Sequence, residues 1–178
     1  MASSTADRTF AGSPTVLASS AAQTIVRWRC FLIVLVRGQP SVADVERMIA
    51  EVERMRDDGV PHCGLVHVPR STPRLEPPPE AVRDVYRRLM NDRTTITRGS
   101  AVIVEQEGFF AAVVRSVVTS LSLLARPVYP TRALPSRVAG AKWLLEQLAS
   151  HGADPTDLDE LVEAIGAGIE LSDAAPSV

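Results

Sequence analysis

Lysine is almost missing from this chain: of 19 basic residues only Lys142 is not an arginine. Arginine codons are GC-rich, so a GC-rich genome accounts for this without a polyanion partner, and the formal net charge is −2. Aromatic residues make up 4% of the chain, so the core has to be built from Val, Leu, Ile and Ala. Interleaved aromatics for base stacking are absent, which argues against nucleic acid. The longest uninterrupted apolar run, Cys30 to Val36, falls far short of the roughly 20 residues a helix needs to cross a bilayer. No basic region followed by an apolar stretch opens the chain, so no secretion signal is expected and the cytoplasm is the default location. The two cysteines, Cys30 and Cys63, sit in apolar stretches and read as buried thiols of a reducing compartment.

Catalytic and cofactor signatures are equally scarce. There is no G-x-x-x-x-G-K-[ST] phosphate loop. The only Gly-x-Gly, Gly166-Ala167-Gly168, lacks the third glycine and a preceding strand, so no dinucleotide cofactor is expected. No G-x-S-x-G elbow occurs. His62, Cys63 and His67 are close in sequence, but on a strand Cys63 and His67 lie about 13 Å apart. Zinc ligands each sit about 2.0–2.3 Å from the ion, and His62 points the other way, so no metal site is expected. His67, near the end of a strand, is a candidate general base; a packing or surface histidine is the preferred reading. The chain therefore reads as a non-enzyme.

What is present is an ordinary globular composition, 46% hydrophobic and 22% charged over 178 residues, enough for one domain with tails. Three segments follow: a flexible N-terminal stretch over 1–22, in which Thr15 to Leu17 could begin an edge strand; an α/β domain over 23–150; and an acidic tail over 151–178 with one short helix. Residues 24–37 alternate and then turn continuously apolar, which predicts one central strand ending at Gly38-Gln39-Pro40. Ser41 with Asp44 predicts a helix start, and Val45, Met48, Ile49, Val52 and Met55 recur at helical spacing to about Asp58. Cys63–Val68 reads as a strand, a proline-rich loop spans Pro69–Pro79, and a helix runs on to about Arg93. Ala101–Glu105 reads as a strand. Phe109–Arg126 reads as a helix, with a strand over Val113–Val118 as the alternative. Pro127–Leu134 reads as an edge strand and Pro135–Ser150 as a helix. The alternation predicts an α/β fold, a single sheet of about four to five largely parallel strands with helices packed on it, plus a C-terminal helix.

Two surfaces are candidates for interaction. Arg70, Arg74, Arg83, Arg87 and Arg88 cluster around the second helix, with Asp84 placed to pair with Arg88; a solvated helix face is the alternative to an anionic partner surface. The tail holds seven of the 21 acidic residues and none of the 19 basic ones. Its apolar stripe, Leu158, Leu161, Val162 and Ile165, can dock on the domain or enter a partner groove, and its acids can fold back on the net-basic remainder.

Three stretches resemble one known family. They are IVLVRGQPSVADVERMI (Ile33–Ile49), SAVIVEQEGFFAAVVRSVVTSL (Ser100–Leu121) and YPTRALPSRVAGAKWLLEQL (Tyr129–Leu148), the last with Ala141, Trp143 and Leu144. Over about residues 24–150 they resemble the STAS-like bacterial regulatory domains, related to anti-sigma-factor antagonists and likened to lipid-carrier domains. The resemblance implies a regulatory or scaffolding module that binds another protein, with a homodimer as one option. Antagonist members carry a phosphorylatable Ser or Thr, usually after an Asp, where strand meets helix. Here that place offers Ser71 and Thr72 in HVPRSTPRLEPPP, with no preceding Asp. A carrier or sensor of a small apolar, lipid-like ligand is the alternative function.

Overall fold

The structure is a computed structural model that describes residues 12–72, 76–105, 108–125, 127–150 and 157–174. One six-stranded sheet runs in chain order: β1 (Thr15–Ser19), β2 (Gln23–Trp28), β3 (Phe31–Val36), β4 (His62–Val68), β5 (Thr97–Val104) and β6 (Thr131–Leu134). The helices are α1 (Val42–Asp57), α2 (Glu80–Asn91), α3 (Gly108–Ala125), α4 (Arg137–Ala149) and α5 (Leu158–Ala174). β3 to β6 are parallel, while β1–β2 and β2–β3 are antiparallel.

The expected single strand over 24–37 is two strands joined by Arg29-Cys30, with Trp28 opposite Phe31. No Gly or Asn marks this turn, and Arg29 takes the left-handed backbone, φ 49°, that a tight hairpin demands of its first turn residue. Its guanidinium lies 4.5 Å over the Trp28 ring and 2.7 Å from Glu160, contacts that help to hold the turn. β1 brings Thr15–Ser19, within the stretch read as flexible, into the sheet as an edge strand. The valine-rich segment Val113–Val118 is helical, within α3. α1 starts at the capping box that Ser41 and Asp44 form together.

Handedness explains the layering. Parallel strands laid down in chain order, each joined by a right-handed crossover, place their connecting helices on one face. α1, α2 and α3 are those helices. Ile25, Leu32 and Val34 pack beneath α1 and α2 with Val45, Met48 and Met55. α4 and α5 cover the opposite face, over Val26, Phe31, Ile33, Leu35, Leu65 and Ile103. Both faces of β3 are buried, which is why its sequence is continuously apolar. α5 is longer than the short helix expected. Beyond its apolar stripe, Ser172 Oγ donates to Thr24 Oγ1 at 2.9 Å, and Ser172 O accepts from the Arg37 guanidinium at 2.7 Å.

Candidate functional site

The two faces of the sheet are packed differently. On the α4 face, Gly140 lets the helix come so close that an added Cβ would lie 2.6 Å from Ile103 Cδ1. On the other face β4, β5 and β6 present small residues, Gly64, Ser100 and Thr131, which are register neighbours. With no large side chain rising from this floor, a cavity of about 200 Å³ remains beneath the helices. Its roof is Met48 of α1, Tyr86 and Leu89 of α2, and Val113, Val114 and Val118 of α3. Val66 and Val102 complete the floor, and the exposed Gln39, Glu76 and Pro77 stand at its rim.

His62 is a wall of this cavity and fully buried. Its Nδ1 is 3.2 Å from the Val60 carbonyl and its Nε2 2.9 Å from Thr97 Oγ1, so both ring nitrogens are occupied. Burial is the main cause holding its pKa below the ordinary histidine value, with the nearby charges of Arg27 and Arg98 adding to it. Tyr86 and Tyr129 are pushed up to about 12, mainly by burial, so both keep their hydroxyl protons at neutral pH. Thr131 Oγ1 is buried without a hydrogen-bond partner.

A second cavity, about 230 Å³, lies across the sheet at the carboxyl ends of β3 and β4, beside the end of α5. Arg37, His67, Ser71, Thr72, Ser172 and Asp173 are among its walls. His67 is fully buried, with Nε2 3.3 Å from Glu105 Oε2, and Glu105 Oε1 accepts from Arg137 Nε at 2.9 Å. Burial lowers the His67 pKa, and the Glu105 charge opposes but does not overcome it. Glu105 is itself partly desolvated, yet His67 and Arg137 hold its carboxyl below the usual range. A neutral His67 with its proton on Nε2 toward the carboxylate leaves Nδ1 as an acceptor, and Nδ1 has no partner. Nε2 makes only this 3.3 Å approach to Glu105, short of a well-formed hydrogen bond, and among the described residues no nucleophile donates to Nδ1.

The three residues weighed as metal ligands are dispersed: His62 in the first cavity, Cys63 in the α4–α5 core, His67 in the second cavity. Among the described residues no three His, Cys, Asp or Glu are grouped to hold a metal ion.

The candidate interaction residues take separate places. Arg83, Arg87 and Arg88 are exposed on α2. Asp84 pairs with Arg87 at 2.6 Å rather than with Arg88, which instead reaches Glu46 of α1 at 3.6 Å. Arg70 is exposed and donates to the Glu105 carbonyl, while Arg74 lies outside the described residues. Leu161 and Ile165 are fully buried, and Leu158 and Val162 pack partly buried beside them. The stripe is therefore spent on the sheet, because β2 and β3 present an apolar face that needs a cover. Ser71 is exposed, whereas Thr72 is buried with Oγ1 donating to the Val36 carbonyl at 2.9 Å. Glu105, Arg137, Gly64 and Thr131 escape a reading of the sequence; strand-end position is the only local signal that marks Glu105.

No protein-family model, curated protein or solved structure matches this chain. Among the described residues no helix is long and apolar enough to cross a membrane.

Proposed function

We propose that this protein is a non-enzymatic module that holds a small apolar ligand between its sheet and helices α1, α2 and α3. The observation that carries this reading is the hollow under those helices, roofed by Met, Leu and Val side chains, at a place where the opposite face carries the close Gly140–Ile103 contact of α4. Close packing is the rule in protein interiors, and an apolar void costs stability unless something fills it. The competing reading, a surface acting only by protein contact, loses a main support because the α5 stripe is buried. The STAS-like resemblance belongs to this proposal. Strand–helix alternation from Phe31 onward supports it, and it assigns the bound state to regulation in a bacterial cytoplasm, with the arginines of α2 as the surface shown to a protein partner.

The test is binding of a small apolar probe, benzene, followed by NMR in the full chain and in Gly64→Leu. A leucine at Gly64 projects into the cavity floor, so probe binding should fall at least tenfold. Equal binding by the two proteins, or none by the native chain, overturns the proposal.

A further inference from the structure

We infer that the ligand of this cavity is an uncharged amphiphile, a short apolar body carrying one hydroxyl or carbonyl head that seats against Thr131 and Tyr129. The inference rests on the binding reading above and adds the chemical class.

Strand register sorts the cavity lengthwise. His62 is level with Thr97, Gly64 with Ser100, and Ser100 with Thr131, so the polar side chains gather toward the amino ends of β4, β5 and β6. Farther along the same strands come Val66 opposite Val102, and then Val68. Tyr129, two residues before Thr131, lies at the polar end as well. A ligand lying along the strands meets hydroxyls at one end and hydrocarbon over the rest.

Not all of those polar groups are open to a ligand. His62 has both ring nitrogens engaged. Thr131 Oγ1 is buried and has no partner. Buried polar atoms are nearly always hydrogen-bonded, so an orphan hydroxyl on a cavity wall marks where a partner belongs. A hydroxyl both donates and accepts, and the protonated Tyr129 phenol is a second donor on the same cavity wall.

Charge then excludes the commoner lipid heads. No Arg or Lys is among the described wall residues, and the single carboxylate, Glu76, stands on the exposed rim. Arg27 and Arg98 are near enough to act on His62 but are not part of the wall, and Arg27 lies 3.8 Å from Asp58. A carboxylate, phosphate or ammonium at the polar end would be a buried charge with no counter-ion among the described wall residues. The volume sets the size. An apolar cavity of about 150 Å³ accepts benzene, so one of about 200 Å³ suits a body of roughly six to eight carbons.

The experiment titrates the full chain by NMR at pH 7.5 with benzene, hexan-1-ol, hexanoate and hexylamine, then repeats it with Thr131→Val. Hexanol should bind at least a hundredfold more tightly than hexanoate or hexylamine. Thr131→Val should weaken hexanol about tenfold and leave benzene unchanged. Because the orphan hydroxyl is removed, the unliganded variant should melt at the native temperature or above it. If benzene binds but hexanoate or hexylamine equals hexanol, or Thr131→Val leaves hexanol unchanged, the inference fails and the underlying reading survives. If neither benzene nor hexanol binds, both fail.

Discussion

His67 and Glu105 meet at the carboxyl ends of two adjacent parallel strands, with Nε2 3.3 Å from Oε2 although the residues are far apart in sequence. Burial keeps His67 neutral, and so it does His62. The folded pKa of each lies below the unfolded value of about 6.5. Unfolding therefore takes up protons, and the stability tied to these groups is complete above pH 6.5 and drains away as pH falls toward the folded values. Below about pH 4.5, Glu105 and then Asp44 and Asp92, all held low in the fold, add further losses. Unfolding free energies from urea denaturation, measured from pH 8 to 5, should decline in the native chain with a slope of at most about 1.4 kcal/mol per pH unit for each proton. His67→Gln should show a shallower decline, and an identical slope would refute the assignment.

Helix α5 should act as core and not as an appendage. Ile165→Ala is expected to cost about 2–5 kcal/mol, since the side chain is fully buried against the sheet. Glu160→Gln, which breaks only a half-exposed ion pair with Arg29, should cost less than about 1 kcal/mol. Chemical denaturation of the two variants checks the ranking, and near-equal losses would mean that α5 is not docked as described.

Gly140→Ala poses a conflict between local and tertiary preference. Alanine in a helix gains up to about 1 kcal/mol over glycine. Here its methyl meets Ile103 Cδ1 and Cγ1 at 2.6 and 2.7 Å, and Ile103 is fully buried in the sheet. Overpacking of this kind costs about 1–3 kcal/mol, so the substitution should be destabilising. Ile103→Ala should then cost less in the Gly140→Ala background than in the native chain. A double-mutant cycle measures that coupling, and strict additivity would contradict it.

Gly64→Leu should have the opposite sign. Its Cβ meets Ser100 Oγ at an ordinary 3.4 Å, and the rest of the side chain enters empty space. Each buried methylene contributes about 0.8 kcal/mol and the loss of a strand glycine about 0.5–1 more. A rise in melting temperature of several degrees is expected by calorimetry. A fall would mean that the floor is not hollow at this point.

Local chemistry made much of this fold legible in advance. Ser41 with Asp44 marks the α1 start, and the spacing of Val45, Met48 and Met55 marks the face it buries, because both signals lie within a few turns of chain. The Arg29-Cys30 turn was not legible, since its left-handed residue is an arginine held by Trp28 and by Glu160 from the far end of the chain. The cavity was hidden for a related reason. Gly64, Ser100 and Thr131 are unremarkable singly, and only strand register sets them side by side. The meeting of His67 with Glu105 likewise depends on parallel pairing that neither residue announces.

The ordering of the strands bears on how the polypeptide matures. Every new strand from β2 to β6 pairs with the one made just before it, so the sheet grows by local additions. α5 closes over β1, β2 and β3, strands synthesised well before it. Val26 and Ile33 thus wait for Leu161 and Ile165 to be synthesised, and the nascent protein carries a sticky face for as long as the intervening residues are being made.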